Sequence, residues 1–122
     1  MSGHQWGLDG LLAATTKALH LADPGNGETI RCKESPQTCG LRSAGAETRT
    51  LADPDGPGQQ LSLSFAVDGG DIVITASTAV NQAGNTSLTF ADAGDHIKLE
   101  SVEVAANSYA WRIVANDGVA LA

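Results

Sequence analysis

LSLSFAVDGGDIVITAS, Leu61 to Ser77, is the stretch whose reading decides the fold. Leu61, Leu63, Phe65 and Val67 alternate with Ser62, Ser64 and Ala66. That period of two marks a strand with one buried face. Beyond Gly69-Gly70, Ile72, Ile74 and Ala76 share one face, and Val73, Thr75 and Ser77 the other. Paired glycines tolerate the positive φ of a two-residue hairpin turn. The stretch therefore predicts an antiparallel hairpin with Val67 opposite Ile72, Phe65 opposite Ile74 and Leu63 opposite Ala76. Turn chemistry and apolar pattern agree. The cost is Asp68 against Asp71 across the turn, tolerable if solvated.

The regions on either side repeat the β texture. Glu28 to Lys33 reads as a short strand with Ile30 and Cys32 on one face, and Ala46 to Leu51 as a polar edge strand. ADPDGPGQ, from Ala52, is a loop: Pro54 and Pro57 remove donors, and Gly56 and Gly58 free the backbone. SLTF puts Leu88 and Phe90 inward. HIKLESVEV changes phase between Leu99 and Val102, the mark of a β-bulge near Glu100-Ser101. With Ala105 to Ser108 as a loop, Val104 then opposes Tyr109, Val102 opposes Trp111, Leu99 opposes Ile113 and Ile97 opposes Ala115. Asn116-Asp117-Gly118 turns the chain into a closing VALA. Short strands at roughly 8–12-residue spacing predict an all-β domain, a small antiparallel barrel or sandwich of jelly-roll or tulip-like type.

The first 27 residues read differently. MSGHQWG is a flexible lead, and Leu8, Leu11, Leu12 and Leu19 fall near helical spacing, interrupted by Gly10 and Thr15-Thr16. The division expected is an N-terminal arm or short helix over 1–27 and a β-domain over 28–122. The arm either caps an open end of the core or docks on a partner.

In 122 residues there are 14 acidic and 7 basic side chains, a formal charge of −7. That balance repels phosphates, and no Lys/Arg cluster offsets it, so nucleic acid is not an expected partner. No apolar run reaches the roughly 20 residues of a membrane span. Nor is there a basic start followed by an apolar stretch, so synthesis in a cytoplasm without a cleaved export signal is expected.

The search for chemistry finds little. His4, His20 and His96 lie apart, with no metal-ligand spacing. Asp53, Asp55, Asp68, Asp71, Asp92, Asp95 and Asp117 sit in turns, where Asp bonds local N–H groups, and they match no calcium loop. Nucleophile elbow and phosphate loop are both missing, so no catalytic residue, metal or cofactor is predicted. Trp111 falls in phase with Tyr109 and Ile113 and reads as core. Cys32 and Cys39 leave two readings open. They form a disulfide if a hairpin brings them face to face and the protein is oxidised outside the cell, or they are buried thiols.

The order ETRTLADPDGPGQQLSLSF, DGGDIVIT, TSLTFADAGDHIKLESV and YAWRIVANDGVAL resembles the small head decoration (cement) proteins of tailed bacteriophages, from Glu28 to the end of the chain. The resemblance implies a β-rich subunit that trimerises on the outer capsid surface, bound to the major capsid protein, and holds the head against internal genome pressure. Such proteins often engage the shell with an N-terminal arm, for which Trp6, Leu8, Leu11 and Leu12 are the candidates. The family has no catalytic residues. The cysteine pair and the leucine-rich start depart from its pattern. The alternative reading is a receptor- or carbohydrate-binding module of a phage fibre or baseplate. A small hydrolase is a third class, disfavoured by the missing motifs.

Overall fold

In the computed structural model, which describes residues 18–122, both halves of the Leu61–Ser77 stretch are strands, but they do not pair with each other. The ten strands are β1 (Leu19–His20), β2 (Thr29–Ile30), β3 (Gln37–Arg42), β4 (Glu47–Leu51), β5 (Gln60–Val67), β6 (Ile72–Ala76), β7 (Ser87–Phe90), β8 (His96–Ala105), β9 (Ser108–Asp117) and β10 (Ala120–Leu121). One sheet has the order β1-β3-β5-β8-β9, the other β10-β7-β6-β4-β2. The fold is a β-sandwich of two mixed sheets, not a closed barrel.

The predicted hairpin is therefore an arch. Residues 68–71 carry the chain from the first sheet to the second, a gap of about 10 Å between packed sheets. Alternation is blind to this difference. A hairpin lays both apolar faces on one side of one sheet, and an arch turns them to face each other across the core. Either way Leu61, Leu63, Phe65, Ile72 and Ile74 end inside, and all five are at most 2% exposed.

What selects the arch is a second one beneath it. Residues 43–46 join β3 to β4 in the same manner, and β3 runs parallel to β5 while β4 runs parallel to β6. The two arches nest. The Ser43 hydroxyl donates to the Gly70 carbonyl at 2.6 Å and accepts the Gly69 N–H at 3.0 Å. A Cβ on Gly69 would overlap the Ser43 carbonyl oxygen, and one on Gly70 the Gly45 backbone. The glycines are there for close approach between arches, not for a hairpin turn.

The strands β1 and β2 repeat the pattern at reduced length, β1 parallel to β3 and β2 parallel to β4. Three successive coils thus stack in parallel, and β7 to β10 complete both sheets by antiparallel pairing. Residues 18–27, expected in the arm, are part of this sandwich: Leu19–His20 is strand, not helix, and Leu21 packs against the core. Ala46–Leu51, expected at an edge, yields β4 in the interior of its sheet between β6 and β2.

The β8–β9 pair differs in phase from expectation. Leu99 opposes Ile113 as predicted, but Ser101 opposes Trp111, Glu103 opposes Tyr109 and Ile97 opposes Asn116. The irregularities lie between Lys98 and Leu99 and between Glu103 and Ala105, rather than at Glu100-Ser101. Ser101 takes the inward position because it anchors the 52–59 loop. Its hydroxyl donates to the Gly56 carbonyl and accepts the Gln59 N–H at 3.0 Å, and its N–H donates to the Gln59 carbonyl at 2.8 Å. These bonds offset the cost of burying a hydroxyl. Trp111, 1% exposed, fills the space beside it and donates its indole N–H to the Ala52 carbonyl at 2.9 Å. Phe65 and Phe90 meet edge to face across the sheets, with centroids 6.3 Å apart.

Candidate functional site

The residues expected to engage a partner, Trp6, Leu8, Leu11 and Leu12, lie outside the described residues. Where the description begins, the chain enters at β1, an edge of the first sheet.

Of the two readings of the cysteines, the structure holds buried thiols: Cys32 and Cys39 are both free. The Cys32 thiol donates to the Glu34 carbonyl at 3.0 Å. Burial pushes both thiols up, Cys39 to about 11 with Asp23 adding to the effect. Neither is poised as a nucleophile, which needs a thiolate at neutral pH.

The most concentrated electrostatics lie at Arg49. Its position in β4 turns the guanidinium inward, 2% exposed. Asp23 grips it with both oxygens, at 2.7 Å to Nε and 2.9 Å to Nη2. Glu47 accepts from Nη2 at 3.0 Å, as does the Arg42 carbonyl. Asp23 also accepts the N–H groups of Arg42 and Gly25. Burial alone would raise the Asp23 carboxyl, but the bonds from Arg49, Arg42 and Gly25 outweigh it and hold the carboxyl below its ordinary range. Glu47 is lowered first by the Ala44 N–H and then by Arg49. The charge is fully partnered within the fold, so this centre ties the first coil to the second and has no valence left for a ligand.

The register assembles one constellation that sequence spacing hid. Ser64 pairs with His96, and His96 with Asp117, in a row across the outer face of the first sheet. These are the residue types of a nucleophile, base and orienting acid. Yet no hydrogen bond links them among the described residues, and the row lies on a face with no cavity beside it. A nucleophile needs both a bonded base and a bound substrate, so the row carries no reaction.

Among the described residues no group of three or more His, Cys, Asp or Glu side chains is placed to hold a metal. No helix among them is long and apolar enough to cross a membrane. What the described molecule offers a partner is surface: two flat outer sheet faces, the 52–59 and 77–86 loops, and an end where the chain crosses between sheets at 43–46, 68–71, 91–95 and 118–119.

Neither a family model nor a curated protein matches the chain.

Proposed function

We propose that the protein is a structural virion component: a decoration protein that binds the outer surface of a tailed-phage head as a homotrimer, on the major capsid protein, and stabilises the shell against genome pressure. It is made in the host cytoplasm and acts without catalysis or cofactor. The observation that carries this reading is the order of features from Glu28 onward, which resembles cement proteins over the whole β-domain.

The fold is compatible with that work. Two arches lock by side-chain and backbone bonds, and every buried side-chain polar atom among the described residues has a partner. A part that bears load on a shell needs such a frame and needs no cleft. The fibre or baseplate alternative relies on aromatic side chains for sugar stacking. Here Phe65, Phe90 and Trp111 are committed to the core and Tyr109 is half-buried, which weighs against it.

The test is co-sedimentation with expanded phage heads that lack decoration, comparing the full chain with one lacking residues 1–17, a deletion that spares β1. Full-length protein pelleting with heads, and loss of pelleting on deletion, is the expected pair of results. Full-length protein that stays in the supernatant at saturating concentration refutes the reading.

A further inference from the structure

The outer face of the second sheet is unlike any other surface of the described molecule. Strand register lines up two ranks on it. One is Thr29, Thr50, Thr75 and Ser87, and the other Thr48, Val73, Thr89 and Ala120. These eight positions cover five strands and include no charged side chain. Thr29, Thr48, Thr50, Thr75 and Ala120 are exposed, and Val73, Ser87 and Thr89 half-buried. The first sheet's outer ranks are different: Lys98 lies between Ser62 and Ala115, His96 between Ser64 and Asp117, and Glu100 between Gln60 and Arg112.

Symmetry makes this difference decisive. At a threefold axis each side chain meets its own copies, so any charged residue there faces two like charges away from water. Lys98, Glu100, Arg112 and Asp117 disqualify the first sheet's face. The chain's −7 charge opposes contact between copies wherever carboxylates face outward. Only the threonine face lets three copies converge without that penalty. Its side chains also suit convergence. They are short, so the sheets can approach closely. Thr and Val are stiff at χ1, so ordering them costs little. Their hydroxyls donate and accept, and can satisfy one another across the axis.

We infer that the outer face of the second sheet lines the axis of the trimer, with Thr50 and Thr75 near its middle. The inference rests on the trimeric reading proposed above.

Sedimentation velocity of full-length protein tests it, comparing wild type with Thr50→Arg/Thr75→Arg and with Ser62→Arg on the opposite face. Thermal unfolding confirms that each variant is folded, and Thr75→Arg alone serves if the double variant is not. The expected result is a trimer for wild type and Ser62→Arg, and a folded monomer for the threonine variants. A threonine variant that sediments as a trimer overturns the assignment of this face and leaves the trimer standing. A monomeric wild type overturns the trimer itself, and this inference with it.

Discussion

Ser43 and Gly70, from two different arches, are joined by a 2.6 Å hydrogen bond from the serine hydroxyl to the glycine carbonyl. The bond fixes one strand-to-strand crossing on top of another, and with it the parallel pairing of β3 with β5 and β4 with β6. Replacing Gly69 with Ala sets a methyl group against the Ser43 carbonyl oxygen, where only backbone can yield. We expect Gly69→Ala to destabilise by about 2–4 kcal/mol, in the range of overpacked sites. Ser43→Ala removes two bonds and should cost about 1–2 kcal/mol. Urea unfolding of both variants checks this. A hairpin would tolerate Ala at neither cost, so a neutral Gly69→Ala contradicts the nested arches.

The Asp23–Arg49 pair predicts an acid limit on stability. The Asp23 carboxyl is held below its ordinary value of 3.8, so the folded state binds its proton less readily than the unfolded chain. The stabilisation is present above the unfolded value and is lost as pH falls through the folded one. Melting temperature should hold steady from pH 7 to 5 on this account and fall below about pH 4. Asp23→Asn keeps the shape, removes the charge and should flatten the acid limb. It leaves Arg49 with Glu47 as its remaining carboxylate, and should cost about 2–3 kcal/mol at neutral pH. An unchanged acid limb in Asp23→Asn would remove the pair as its cause.

Much of the sandwich is legible in the sequence, because burial writes itself as alternation. Leu61, Leu63, Phe65, Ile72, Ile74, Leu88 and Phe90 are all inward where period two places them. Partnership is not legible, because alternation is the same for a hairpin and an arch. Arg49 shows the second limit. In the string TRT it reads as the polar face of an edge strand, and only Asp23, 26 residues away, makes its burial possible. Ser101 shows the same limit. Val102 is the better inward residue by hydropathy, but the 52–59 loop needs a hydroxyl at that level. The threonine ranks emerge only from register, since Thr29, Thr50, Thr75 and Ser87 have no fixed spacing in the chain.

Ser101 and Trp111 should behave as one unit. Ser101→Ala leaves the Gln59 N–H and the Gly56 carbonyl without their partner and should cost about 1–3 kcal/mol. Trp111→Phe removes the donor to the Ala52 carbonyl and opens space next to the same loop. Because the two residues oppose each other and hold one loop, the double variant should lose less than the sum of the singles. Strict additivity in denaturant unfolding would show the two anchors to be independent.

The thiols should be silent in the folded protein. Cys39 is 0% exposed and its thiol is pushed up to about 11, so at pH 8 it offers neither access nor thiolate. A thiol-reactive dye should label it only as fast as the protein unfolds, and both cysteines at once in denaturant. The raised value also means that the folded state holds this proton more tightly than the unfolded chain. Its contribution is full below the thiol's ordinary 9.0 and is lost as pH rises toward about 11. Rapid labelling of Cys39 under native conditions would contradict its burial.

The mass of the full-length protein in solution, measured by light scattering, tests the central claim most directly. The account predicts a particle of three chains, three times 12.4 kDa, that holds its mass on dilution. A mass of one chain at every concentration would contradict it.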